Sequence, residues 1–131
     1  MKNLLIIIMF FLFSCEKNKV ELTGFEGTVI NEKGEKMKSF KLEYYVNEFI
    51  PNGFVGGNKK IKGPVEIESD NNGFIRISEY LKYRQSISIE PFIYDDPNVD
   101  SIFVSSLQYI NLEDIMWGHY YRNVILTVRE R

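Results

Sequence analysis

The sequence predicts an all-β chain, a seven-stranded antiparallel β-sandwich that follows an N-terminal targeting segment. Three observations carry this expectation. Short apolar runs alternate with turn signals from Val20 onward, the pattern of a sandwich or barrel. Alanine, the best helix former, is absent, while the chain holds 8 tyrosines, 10 phenylalanines and many isoleucines, residue types that favour strands. Several runs also alternate apolar and polar residues with a period of two, as a half-buried strand does.

The elements follow in order. Leu22 to Ile30 is the first run, closing at Asn31-Glu32-Lys33-Gly34, where glycine permits the positive φ of a tight turn. In the second, Phe40, Leu42, Tyr44 and Val46 share one face, with Ser39, Lys41 and Glu43 on the other. Residues 47–60 read as a long loop, because Pro51, Gly53, Gly56 and Gly57 punctuate it. Its Phe49, Ile50, Phe54 and Val55 suit a partner surface or a fold back over the core. Val65 and Ile67 mark a third strand leading to the turn Asp70-Asn71-Asn72-Gly73, and Ile75 and Ile77 a fourth. Ser78 to Arg84 reads as one helical turn with Ser78 as its N-cap. Ile87 and Ile89, alternating with serines, make the fifth strand, and Ile102 to Tyr109 the sixth. Val124, Leu126 and Val128 face one way in the last, opposite Ile125 and Thr127. Seven short strands in one small domain suit two packed antiparallel sheets.

The N-terminus is of another kind. Lys2, the apolar run Leu4 to Phe13 and the small Ser14 make up the n-region, h-region and cleavage-site residue of a secretory signal. The run is too short for a membrane-spanning helix, which needs about 20 apolar residues. Leu12-Phe13-Ser14-Cys15 resembles the lipobox of bacterial lipoproteins. That resemblance implies cleavage before Cys15, lipidation of its thiol and acylation of the new amino terminus. Residues 1–14 are then a signal peptide, 15–19 a lipidated tether and 20–131 the β-sandwich domain. Glu16 rather than aspartate follows Cys15, which under the lipoprotein sorting rule implies the outer membrane. Cys15 is the only cysteine, so no disulfide can staple the mature domain, and core burial must stabilise it.

Two segments resemble a second family. Gly27-Thr28-Val29-Ile30-Asn31-Glu32-Lys33-Gly34 is similar to the G-x-V-x-D-x-x-G opening of carboxypeptidase-regulatory-like domains, which share the transthyretin-like sandwich. Pro64 to Gly73 resembles the lead into their D-x-x-G-x-F-x-I hairpin. Immunoglobulin-like domains share much of this pattern, so the fold expected is transthyretin-like or immunoglobulin-like. The family resemblance implies a non-catalytic accessory or adhesive module with no catalytic residues.

Chemistry-bearing residues are few. A formal net charge of −2 and the lack of a basic block argue against a nucleic-acid partner. Met116-Trp117-Gly118-His119-Tyr120-Tyr121 sits before the last strand, and its flat rings suit either stacking on a sugar or plugging the end of the sandwich. His119 is the only histidine, with no local nucleophile or zinc-ligand set beside it. Asp95, Asp96 and Asp100 offer oxygens of the kind calcium takes, in a loop that reads equally as a solvated turn. Gly53 to Gly63 lacks the Gly-Lys-Ser/Thr of a phosphate loop.

The expected function is a lipid-anchored, non-catalytic cell-envelope module without a cofactor. It would sit on the membrane through Cys15 and contact an envelope protein or glycan through residues 47–60 and 113–122. Phe49, Phe54, Trp117, His119, Tyr120 and Tyr121 are the contact candidates. The alternatives are a small inhibitor or immunity lipoprotein, and a structural spacer or assembly subunit that pairs through an exposed strand edge.

Overall fold

The computed structural model describes residues 19–52, 55–91, 98–105 and 109–131. Cys15, Phe54, Asp95 and Asp96 lie outside them. Among the described residues there are eight strands and no helix: β1 (Glu21–Asn31), β2 (Lys41–Asn52), β3 (Val55–Glu68), β4 (Phe74–Leu81), β5 (Gln85–Pro91), β6 (Val99–Ser105), β7 (Ile115–Met116) and β8 (Tyr120–Glu130). They form two four-stranded sheets, ordered β4-β1-β8-β6 and β3-β2-β5-β7.

The all-β expectation therefore holds, with two corrections. The described strands number eight rather than seven, because β7 has only two residues and is too short to show a period. Pairing is not wholly antiparallel, since β1 runs parallel to β8. Parallel neighbours need a long connection, and here six intervening strands supply it.

Period-two burial builds the core. Phe25 and Val29 of β1, Ile75, Ile77 and Leu81 of β4, and Val124, Leu126 and Val128 of β8 point inward from the first sheet. Leu42, Tyr44 and Val46 of β2, Ile87 and Ile89 of β5, and Ile115 of β7 meet them in the same cluster. Burying each such side chain is worth roughly 1.5–3 kcal/mol. The turn expected at Asn31–Gly34 is present: Gly34 has φ 81° and its N–H donates to the Asn31 carbonyl at 3.0 Å.

Polar contacts centred on Glu79 also join the sheets. The Tyr44 hydroxyl of β2 donates to Glu79 Oε1 of β4 at 2.6 Å, and Lys62 of β3 pairs with the same oxygen. Burial, then the Glu79 carboxylate, pushes the Tyr44 hydroxyl far above the usual tyrosine range. Burial alone would raise the Glu79 carboxyl, but hydrogen bonds from Lys62 and Tyr44 hold it below its ordinary value.

Four segments depart from the sequence expectation. Residues 47–60 are largely strand: β2 and β3 pair as far as Asn52↔Val55. The ladder passes through its glycines with the Phe49 ring lying against Gly56, an aromatic covering the bare backbone of an edge strand. Ser78 to Arg84 holds no helical turn, since β4 runs to Leu81 with Ser78 opposite Gly24. Its inward series continues through Glu79 to Leu81, and the partners on Glu79 let a carboxylate occupy an inward position. The sixth strand begins at Val99 rather than Ile102 and is described as far as Ser105, with 106–108 of the expected strand outside the described residues. Finally β8 begins at Tyr120, so Tyr120 and Tyr121 are strand residues and not loop.

Candidate functional site

The strand ends fix the site. β2 meets β5 up to Glu48↔Gln85, and beyond that point β2 and β3 continue as a two-stranded arm with Phe49 opposite Asn58. The arm is held at its root by the Phe49 N–H, which donates to the Arg84 carbonyl at 2.8 Å. The β4–β5 turn beside it is closed by the Gln85 side chain, which accepts from the Lys82 N–H at 2.8 Å. Across β5, Ser86 pairs with Met116 of β7, and the Trp117 N–H donates to the Gln85 carbonyl at 3.1 Å. The chain then reverses: the His119 N–H reaches the Met116 carbonyl at 3.1 Å, and the Gly118 N–H reaches Thr23 Oγ1 at 3.1 Å.

These constraints leave a cleft of about 310 Å³ between the arm, the β4–β5 turn and β7. Phe49, Tyr83, Met116 and Trp117 give it apolar walls, and Asn58, Arg84, Gln85, Ser86 and Asp114 its polar groups. Tyr83 meets Trp117 edge to face, with centroids 5.8 Å apart. Trp117 packs against the core cluster and also lines the cleft, so it plugs the sheets and shapes the site at once. Its indole Nε1 is buried and has no hydrogen-bond partner among the described residues. Aromatic walls with a few convergent amides and charges are suited to holding a flat ligand face and orienting its polar edge.

The structure separates the candidate residues. Phe49 and Trp117 share the cleft. His119, Tyr120 and Tyr121 do not line it and belong with the first sheet. His119 Nδ1 stands 3.2 Å from the Tyr121 hydroxyl, with the rings edge to face. The Tyr120 hydroxyl donates to Glu26 Oε1 at 3.3 Å, beside Arg122 and Arg76, which pair with the same carboxylate. Burial, with Glu26 beside it, pushes the Tyr120 hydroxyl above its usual range. These contacts engage the Tyr120 ring in the sheet surface.

Tyr83, Arg84, Gln85 and Ser86 line the cleft without having been expected from the sequence, whereas Asn58, Asp114 and Met116 fall within the expected contact segments 47–60 and 113–122. A tyrosine and an arginine in a turn after an alternating run were the available signal, obscured by the helical-turn reading. Of the calcium candidates only Asp100 is among the described residues, and it does not line this cleft. Asp100 forms an ion pair with Arg131 at 3.9 Å, and among the described residues no group of three His, Cys, Asp or Glu could hold a metal. A second cleft, of about 440 Å³, opens between Leu42, Ile89, Val99, Ile102, Leu112 and Leu126, with the Ser101 hydroxyl buried and without a partner among the described residues. No histidine lines either cleft.

Comparison of the chain with models of protein families, with curated proteins and with solved structures finds no match to any of the three.

Proposed function

We propose that this chain is a lipid-anchored, non-catalytic module of the cell envelope, a β-sandwich that binds an envelope protein or glycan through the cleft between Phe49 and Trp117. One observation carries the reading. Phe49 and Asn58 from the first expected contact segment and Asp114, Met116 and Trp117 from the second line a single cleft, closed on its third side by residues 83–86. That cleft is of the size and mixed character that ligand sites have. Ser86 and Tyr83 supply the hydroxyls of the cleft and Asp114 its carboxylate, while His119 does not line it.

Anchoring rests on the Leu12–Cys15 motif. The sheet orders favour the transthyretin-like form over the immunoglobulin-like one. In the immunoglobulin sandwich the first two strands share a sheet, whereas here β1 and β2 lie in different sheets.

A photoreactive phenylalanine analogue at position 116 tests the binding reading in living cells. Met116 is 59% exposed on the cleft, so a discrete adduct is expected there. The same analogue at Phe103, exposed on the first sheet, should give none. Adducts from both positions, or from neither, would count against the cleft as the contact site.

A further inference from the structure

The two ends of the molecule differ in kind. At one end lie the start of β1, the β4–β5 turn, the β2–β3 arm and the Trp117–Gly118 turn, tied together by the pairings Glu21↔Leu81, Gly24↔Tyr120 and Glu48↔Gln85. Ten large hydrophobic residues are exposed among the described residues, and six of them are here: Val20, Phe49, Ile50, Tyr80, Tyr83 and Met116. At the opposite end, among the described residues, the turns 32–36 and 70–72 are exposed throughout and, Gly34 aside, polar or charged, and the second cleft opens beside them.

The chain joins β1 at the aromatic end. Cys15 stands four residues before Lys19, and four extended residues reach at most about 14 Å. An acyl anchor on Cys15 therefore holds this end, and not the polar one, against the bilayer. Tyrosine and tryptophan favour the membrane–water boundary, where the ring is apolar and its polar tip stays wet. Lysine and arginine beside them extend their charges back to water, and Lys82 and Arg84 occupy such positions next to Tyr83. Charge is mixed at this end, with Glu21, Glu48 and Asp114 also present, so headgroup charge is not what the surface selects.

We infer that the end bearing Val20, Tyr80, Tyr83 and Met116 rests in the interfacial layer of the bilayer, and that the cleft opens at that boundary. The inference rests on the anchored reading above and deepens it: the partner is one that presents its own contact group at the membrane surface.

The only tryptophan of the chain, Trp117, reports on this directly. Full-length lipidated protein is reconstituted into phosphatidylcholine vesicles whose acyl chains are brominated near the headgroup. Flotation measures attachment, and quenching of tryptophan emission measures apposition. The expected result is flotation with a marked loss of emission against unbrominated vesicles. In a Tyr80→Ser, Tyr83→Ser variant that melts like the native protein, the loss should shrink. Flotation without quenching overturns the inference and leaves the anchor standing. Failure to float overturns both. Equal quenching in native protein and variant removes the rings from the contact and also contradicts the inference.

Discussion

The Tyr83 ring stands edge-on to the Trp117 indole, with centroids 5.8 Å apart and planes at 85°. Tyr83 comes from the turn between β4 and β5, and Trp117 from the turn after β7. Their contact thus joins two segments far apart in sequence into one wall of the cleft. Aromatic pairs of this geometry contribute about 0.5–1.5 kcal/mol beyond the area they bury. Tyr83 is 56% exposed, so the lower part of that range applies. Tyr83→Ala should lower stability by about 0.5 kcal/mol, within the usual range for surface changes, yet leave Trp117 with an open flank. Urea unfolding measures the first effect, and a shift of the single tryptophan emission band measures the second.

Gly56 predicts a separation of binding from folding. A Cβ at this position would run into the far edge of the Phe49 ring, which is 43% exposed and able to swing outward. Gly56→Ala should therefore change stability by no more than about 1 kcal/mol while displacing one wall of the cleft. Thermal melting close to that of the native protein, together with lost partner capture, is the expected pair of results.

Gly27 should behave in the opposite way. A Cβ there would meet the Val124 carbonyl across the β1–β8 pairing, and backbone on a neighbouring central strand cannot step aside cheaply. Gly27→Ala is expected to cost about 2–3 kcal/mol or more, as overpacking does in a dense interior. A urea midpoint indistinguishable from the native one would contradict the close β1–β8 approach.

How much of this was legible in the sequence depends on where each signal lies. The inward rows Leu42-Tyr44-Val46 and Val124-Leu126-Val128 were readable because one face of each strand is buried and the other wet. The arm was not readable: Gly56 and Gly57 signal a loop, and the packing of Phe49 across the strands against Gly56 shows only once the pairing is formed. Glu79 hid the end of β4, because an inward carboxylate looks outward until Tyr44 and Lys62 are seen to meet it. The parallel β1–β8 pair leaves no local trace at all. Of the contact candidates, Phe49 and Trp117 came together, whereas Tyr120 and Tyr121, equally aromatic, belong to the start of β8, which a register shift and the positive φ of Asn123 set apart from the alternating run that begins at Val124.

Glu79 also fixes a pH dependence. Its folded carboxyl is held below the ordinary value of 4.5 by the hydrogen bonds from Lys62 and Tyr44, against the effect of burial. A depressed folded value means that the folded state favours the ionised form. The stability it adds is then complete above pH 4.5 and is lost as the pH falls through the folded value. Glu79→Gln should cost about 1–2 kcal/mol near neutrality, the scale of a hydrogen bond to a charged group, and progressively less in acid. Urea unfolding of both proteins across pH 3–7 checks this, and a constant difference across that range would contradict it.

Ser69 tests the support behind the second sheet. Its hydroxyl donates to the Met37 carbonyl at 2.6 Å and accepts from the Phe40 N–H at 2.9 Å, at a residue only 4% exposed. Ser69→Ala leaves the Phe40 N–H without its side-chain acceptor, at a cost of about 1–3 kcal/mol. Ser69→Thr, which keeps the hydroxyl, should recover part of that loss in the same unfolding assay.

The most direct measurement on the binding account is affinity capture of the full-length, lipidated protein from its own membranes, with a Phe49→Ala, Met116→Ser variant alongside. Both side chains are substantially exposed, so the variant should melt within a few degrees of the native protein. The account predicts a stoichiometric protein or glycan retained by the native chain and lost from the folded variant. Equal capture by both, or no retained partner from either, would contradict a binding function for the cleft between Phe49 and Trp117.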